Sequence, residues 1–133
     1  MVIATRPGED ILDSNMKHIC FAVNSEGINN SGFAGHISRH FWPELANVGQ
    51  CELGTSLTME CNGVFFHALV CNSMNNGWGN SAAIVRQCFN SIETDEPLAS
   101  IAIGTSIDGR LAGARFSDIF EGMEDSKKQI ILF

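Results

Sequence analysis

Residues Cys20–Leu45 read CFAVNSEGINNSGFAGHISRHFWPEL and contain the three parts that decide the fold. The apolar residues that end at Val23 predict a buried strand, and the polar, glycine-bearing segment Ser25–Gly35 predicts a loop. An amphipathic segment then opens at His36. The first amides of a helix lack intrahelical partners, and the helix dipole favours negative charge there, so this order predicts an anion site. The stretch therefore predicts binding of a small ligand that carries phosphate.

The helix that follows this loop is predicted over Gly35–Leu45. Ile37, Phe41 and Leu45 recur every four residues, which places them on one face of a helix. Pro43 lies inside the pattern, and proline cannot donate the backbone hydrogen bond that a helix interior requires. We therefore expect the helix to break or restart near this proline.

Composition places the chain in the globular class. Its 133 residues are the length of one domain, so we expect a single domain over residues 1–133. A hydrophobic share of 44% and a charged share of 17% are ordinary for such a domain. The formal charge of −7 argues against nonspecific nucleic-acid binding, which needs many cationic contacts with phosphate. It is compatible with a small anion held by backbone amides, because that kind of site depends on local dipoles.

The five cysteines have no spacing typical of a disulfide framework or a zinc site. We interpret them as buried, reduced thiols of a cytosolic protein. The first ten residues, MVIATRPGED, contain no long apolar region, so we expect no signal peptide. No apolar run approaches the ~20 residues of a transmembrane helix, so we expect no membrane contact and a cytoplasmic location.

The rest of the chain alternates between predicted strands and helices. Asn62-Gly63 lies between the apolar runs Ser56–Cys61 and Val64–Cys71 and predicts a β-hairpin, because both turn positions need positive φ. Other strands are predicted at Val2–Thr5, Lys17–Asn24, Leu98–Ile103 and Gln129–Phe133, and other helices at Ser81–Ile92 and Arg115–Met123. This alternation favours an α/β fold with a mixed sheet.

A second glycine-bearing loop, Gly104–Ala114, follows the predicted strand Leu98–Ile103. The loop Ser25–Gly35 follows its own strand in the same way. Ligands of open α/β sheets bind beyond the carboxyl ends of the strands. If the two strands are parallel neighbours, both loops face one crevice.

Several segments, taken in order, resemble the macrodomain family, and specifically its small single-domain branch. That branch includes terminal ADP-ribose glycohydrolases and ADP-ribose-1″-phosphate phosphatases. The segments are Gly8-Glu9-Asp10-Ile11-Leu12, Val23-Asn24, Gly32–Ile37, Phe41–Glu44, the Asn62-Gly63 hairpin, Ile103–Gly109 and the last strand, Gln129–Phe133. The resemblance implies a three-layer sandwich with a mixed β-sheet between helices. It also implies ADP-ribose or a relative as the ligand. We expect no cofactor and no metal.

The resemblance assigns the site residue by residue. It implies that Asp10 accepts from the adenine amino group and that Asn24 lies by the distal ribose. The two loops would wrap the diphosphate and that ribose through Gly32, Phe33, Ala34, Gly35, Gly104, Thr105, Ser106, Ile107 and Asp108. We add to this predicted site Ile11, His36, Asn72, Trp78 and Gly109.

Some of these residues have simpler explanations. Asp10 is also expected to cap a short helix, and the two roles can coexist. Phe33 either covers the distal ribose or anchors its loop in the core. Trp78 either stacks on a base or folds onto the protein surface. His36 and His40 have the spacing of a zinc pair but lack a third ligand, so we expect no metal there.

Catalysis stays open at this point. Asp108 matches the aspartate of the glycohydrolase branch and is predicted to position or activate water. The lysine of that branch falls on Asn72 or Ser73, and neither side chain is an amine that could form a Schiff base. One hypothesis is therefore a hydrolase that removes ADP-ribose from a modified macromolecular partner or hydrolyses an ADP-ribose derivative. The alternatives are a non-catalytic reader or sequestering module, and a scaffold that has lost the ligand.

Overall fold

The structure, a computed structural model, describes residues 1–75, 81–104 and 114–133. In this part of the chain, six strands form one sheet in the order β1-β6-β5-β2-β4-β3. The strands are β1 (Val2–Thr5), β2 (His18–Asn24), β3 (Ser56–Cys61), β4 (Val64–Asn72), β5 (Leu98–Ser100) and β6 (Ile130–Leu132). Among the strands of the described residues, only β3 and β4 pair antiparallel, so the sheet is mixed, as the sequence predicts.

Helices cover both faces of the sheet. They are α1 (Gly32–His40), α2 (Ser81–Asn90) and α3 (Phe116–Asp125), with short 3-10 turns at Ile11–Asp13 and Pro43–Ala46. Ile37 of α1 packs with Phe21 on one face. Val85 of α2 and Ile119 of α3 pack with Cys20 on the other. Because successive residues of β2 point to opposite faces, the strand supplies both cores, and the predicted three-layer sandwich is confirmed.

The predicted hairpin is also confirmed. Asn62 has φ of 51° and Gly63 has φ of 83°, so both turn residues occupy the left-handed region that a two-residue hairpin needs. The turn joins β3 to β4 with Cys61 opposite Val64. It makes β3 the antiparallel edge strand.

The structure moves the ends of two predicted elements by three residues or more, and the other ends by no more than two. Helix α1 begins at Gly32, three residues before the predicted start, because the Gly35 N–H donates to the Ser31 carbonyl at 2.9 Å and closes an earlier turn. It ends at His40, and Pro43 begins a separate 3-10 turn, so the predicted break is confirmed. Strand β5 ends at Ser100 rather than Ile103. The Ile103 N–H donates to the Ile101 carbonyl at 2.9 Å, which turns the chain away from the sheet.

The cysteines are all free thiols. Cys20, Cys71 and Cys88 are buried as predicted, whereas Cys51 and Cys61 are only half-buried. Burial raises the pKa of Cys88 to about 12, so this thiol stays protonated at neutral pH. Among the described residues, we find no helix with the length and apolar character needed to cross a membrane.

Candidate functional site

The structure brings the ends of three parallel strands together. Strand β2 lies between β4 and β5, with Ile19 opposite Ala99 and Cys20 opposite Ser100. The predicted condition that β2 and β5 are parallel neighbours is therefore met. We call the carboxyl edge of β2, β4 and β5, together with the start of α1, the crevice. Asn24 and Asn72, both predicted site residues, are register partners there.

The first turn of α1 determines the local electrostatics of the crevice. Gly32, Phe33 and Ala34 form its first turn, where backbone N–H groups have no intrahelical acceptor. The side chain of Ser31, the residue before the helix, makes no capping hydrogen bond, and the first turn holds no acidic residue. These amides and the helix dipole therefore favour an anion at this end.

Asn24 shapes the first loop with its side chain. Its Nδ2 donates to the Ile28 carbonyl at 2.6 Å, and its Oδ1 accepts from the Ile28 N–H at 3.1 Å. Both ends of the amide are thus engaged with one backbone unit of the loop. This structural role was not predicted, and the ribose contact of Asn24 stays a prediction.

Asn29 is not among the predicted site residues. Its side chain is only 4% exposed, and its Nδ2 donates to the Leu45 carbonyl at 2.9 Å. Its Oδ1 accepts from the Asn24 N–H at 3.3 Å, and its carbonyl accepts from the Ser38 hydroxyl at 3.4 Å. Asn29 therefore fixes the loop to β2, to α1 and to the turn after α1. A buried asparagine in a polar loop has no sequence signal that separates it from its neighbours.

Glu26 joins the first loop to the segment after β4. Its Oε1 accepts from the Met74 N–H at 2.8 Å, and its Oε2 accepts from the Ser73 hydroxyl at 2.9 Å. The Met74 amide, followed by the hydroxyls of Ser73 and Ser25, lowers the pKa of the Glu26 carboxyl against a smaller opposing effect of desolvation. The charged form of Glu26 thus holds two walls of the crevice together.

We expect Glu26→Gln to lower the free energy of unfolding by about 1 kcal/mol at neutral pH, a value reduced for solvent screening. The folded pKa of Glu26 lies below its unfolded value. Its contribution is therefore present above the unfolded pKa, near 4.3, and is lost as pH falls through the folded value. Urea unfolding of both proteins from pH 7 to pH 3 measures this. A difference that does not shrink at low pH would assign the effect to shape rather than charge.

Asp10 caps a helix, as one of its two predicted roles requires. Its Oδ1 accepts from the Leu12 N–H at 3.0 Å, and the side chain is exposed. Ile11 is buried in the same core as Phe21. The centroid of the Phe33 ring lies 5.6 Å from that of the Phe21 ring, so Phe33 anchors the start of α1 in the core. The adenine contact of Asp10 and the ribose contact of Phe33 stay predictions.

His36 lies in the middle of α1, with its ring 4.4 Å from that of His40. In the described ranges, no group of three His, Cys, Asp or Glu side chains is placed to hold a metal ion. Gly104, the first residue of the second loop, is described. Five predicted loop residues, Thr105, Ser106, Ile107, Asp108 and Gly109, and also Trp78, lie outside the described residues.

The lysines of the chain all lie away from the crevice. Lys17 precedes β2, and Lys127 and Lys128 precede β6, so the three residues lie at the edge where the parallel strands begin. Asn72 ends β4 at the opposite edge, and Ser73 follows it. A Schiff base formed by a lysine of this chain is therefore not available in the crevice.

Comparisons with known proteins identify the fold. No protein-family model and no curated protein sequence matches the chain. Among solved structures, a mutant of the Oceanobacillus iheyensis macrodomain with ADPR superimposes with a TM-score of 0.66 at 13% identity, covering 93% of this chain and 80% of that one. The macrodomain of Mycobacterium tuberculosis DarG gives 0.65 at 13% identity, covering 98% and 97%.

A third structure is a larger protein, alphavirus P23pro-zbd. It gives a TM-score of 0.67 at 15% identity and covers 97% of this chain, and the chain spans only 21% of its length. The two macrodomains and this protein share the layered arrangement described above across most of the chain. The chain therefore has the macrodomain fold.

Proposed function

We propose that the chain, acting as one domain, binds ADP-ribose or a related nucleotide phosphate in the crevice. The observation that carries the proposal is the uncapped first turn of α1 at the carboxyl ends of parallel strands. Its amides suit a diphosphate, whose charge they can stabilise without any cationic side chain. The Oceanobacillus iheyensis macrodomain, which has the same fold, was solved with ADPR, and this supports the choice of ligand.

The experiment is isothermal titration of the protein with ADP-ribose. We expect binding in the micromolar range. Asp10→Ser should weaken this binding about tenfold, or by about 1.4 kcal/mol. Serine keeps a side-chain oxygen that can cap the short helix, but its shorter side chain does not reach the adenine amino group. Full affinity in Asp10→Ser would remove Asp10 from the ligand site. No heat at millimolar ligand would contradict the proposed ligand.

For the crevice we favour a reader or sequestering module over a lysine-dependent hydrolase. The lysines lie at the other edge, and the Ser73 hydroxyl donates to Glu26. A reader would take as its partner a macromolecule that carries ADP-ribose. In that case ADP-ribose is recovered unchanged after binding, and a modified partner keeps its ADP-ribose.

The hydrolase hypothesis makes a separate prediction at Asp108. If this carboxylate positions or activates water, Asp108→Ala should lower turnover of an ADP-ribosylated protein at least about a hundredfold and keep ADP-ribose affinity. Release of ADP-ribose followed by mass spectrometry measures turnover, and titration measures affinity. Asp118→Ala, a carboxylate of α3, is the matched control. Equal turnover in wild type and Asp108→Ala would remove Asp108 from the mechanism.

A further inference from the structure

Four polar side chains form a hydrogen-bonded row at the edge opposite the crevice. Thr58 Oγ1 on β3 lies 2.8 Å from Nδ1 of His67 on β4. His67 Nε2 lies 2.9 Å from Nδ1 of His18 on β2, and His18 Nε2 lies 2.7 Å from Oε2 of Glu96. We call these four residues the relay. Strand β2 begins at His18 and ends at Asn24 beside the crevice, which is a distance of about 20 Å.

The positions of the hydrogens in the relay are determined by the groups that it joins. The ionised Glu96 carboxyl can only accept, so His18 Nε2 carries a hydrogen. Burial, followed by the nearby His18 and Lys128, lowers the pKa of His67 to about 4, so His67 is neutral at pH 7. When His18 Nδ1 accepts from His67 Nε2, Nδ1 of the neutral His67 carries no hydrogen and accepts from the Thr58 hydroxyl. Every hydrogen bond then points from Thr58 toward the carboxylate.

The relay opens into a cleft. Its volume is about 510 Å³, and Thr58, His67, His18 and Glu96 all line it. Both imidazoles are buried, whereas Thr58 is exposed on the edge strand β3. A hydroxyl becomes an activated nucleophile when it is hydrogen-bonded to a buried imidazole and further groups orient that imidazole.

We propose that Thr58 is an activated hydroxyl that accepts an acyl group from small activated esters in this cleft. No residue predicted for the ADP-ribose site takes part, so the proposal is independent of ADP-ribose binding. Thr58 is the catalytic residue because it touches the ester, and His67, His18 and Glu96 act through it. The cleft has the size of a small-molecule site and leaves room for an acyl group beside Thr58.

The transfer step balances within the relay. Thr58 Oγ1 forms a bond to the carbonyl carbon, and its proton passes to His67 Nδ1. The Nε2 proton of His67 passes to His18 Nδ1, so the positive charge comes to rest beside the Glu96 carboxylate. The bond from the carbonyl carbon to the alcohol oxygen breaks, and the alcohol leaves as its anion with the electron pair. His67 therefore ends as the neutral tautomer with its hydrogen on Nδ1 and carries no positive charge.

The experiment uses 4-nitrophenyl acetate on the whole chain, with peptide mapping by mass spectrometry. We expect one acetyl group on Thr58, absent in Thr58→Val and retained in Thr58→Ser, which restores a hydroxyl at the same imidazole. Glu96→Gln keeps a partner for His18 but removes the charge, and should slow acetylation of Thr58 at least about tenfold. Because Glu96 is exposed, this variant tests the relay even if substitution of buried His67 prevents folding.

Ser56 provides the matched comparison. It lies two residues before Thr58 on the same face of β3 and lines the same cleft, but its hydroxyl lies 2.8 Å from the Ser91 hydroxyl rather than from an imidazole. Ser56→Ala should leave acetylation of Thr58 unchanged. Three results would overturn the proposal: no acetyl group on Thr58, equal acetylation of Ser56 and Thr58, or an unchanged rate in Glu96→Gln.

Discussion

Gly27→Ala is expected to lower the free energy of unfolding by about 3 kcal/mol or more, from left-handed strain and overpacking together. Gly27 has φ of +76°, and a Cβ atom there would lie 1.9 Å from the carbonyl oxygen of Gly49. The clashing oxygen belongs to the backbone. That backbone is held in place because the neighbouring Val48 N–H donates to the Gly27 carbonyl at 3.0 Å. Relief of the clash must therefore move the first loop of the crevice. Urea unfolding monitored by tryptophan fluorescence measures the loss.

Gly49→Ala is the matched control for this prediction. Gly49 has φ of +82°, close to that of Gly27, but a Cβ atom there would meet nothing within 4 Å. The control thus carries the backbone strain without the clash, and we expect a loss of about 1 kcal/mol. Equal losses in the two variants would show that strain alone decides the effect. The larger loss in Gly27→Ala should also abolish ADP-ribose binding, because the Asn24–Asn29 loop contains Gly27.

Gly122→Val is expected to lower the free energy of unfolding by about 3 kcal/mol. A Cβ atom on Gly122 of α3 would lie 2.5 Å from the Ala82 carbonyl oxygen and 2.9 Å from the Val85 Cβ, both on α2. The two helices approach this closely only because the position has no side chain. Valine improves helix propensity over glycine by less than about 0.5 kcal/mol, which is too little to offset the clash.

Glu121→Val is the control at the neighbouring exposed position of α3. This variant places valine on the same helix at a position that faces solvent rather than the backbone of α2. We therefore expect the free energy of unfolding to change by no more than about 1 kcal/mol. Thermal or urea unfolding of both variants gives the comparison. A small decrease in the free energy of unfolding of Gly122→Val would mean that α2 and α3 can move apart with little loss of stability.

The sequence predicts those parts of the fold that depend on local patterns. A two-residue hairpin turn requires positive φ at both positions, which Asn62 and Gly63 adopt, so these two residues are enough to predict the hairpin. The apolar run before Asn24 is long enough to indicate a buried strand on its own. The ends of elements do not follow from local patterns. Helix α1 begins where the Gly35 N–H donates to the Ser31 carbonyl, and this hydrogen bond depends on the packing of the loop.

The candidate site was predicted less completely, for a physical reason. The resemblance predicts the site residues, and the parallel pairing of β2 and β5 brings the carboxyl ends of these two strands to one edge. Glu26 was missed because its partners, Ser73 and Met74, lie far along the chain. The relay was missed because His18 and Glu96 meet only when β2 and β5 pair, and their spacing of 78 residues carries no periodic signal.

The placement of the lysines has a practical consequence for handling the protein. The amines of Lys17, Lys127 and Lys128 lie at the edge where the parallel strands begin, and the Met1 amine lies there too, donating to the Ser126 carbonyl at 3.3 Å. Dyes, biotin or resin coupled through amines will therefore attach at that end. Protein immobilised in this way on a biosensor chip presents the crevice to the solution, ready for ligand injection.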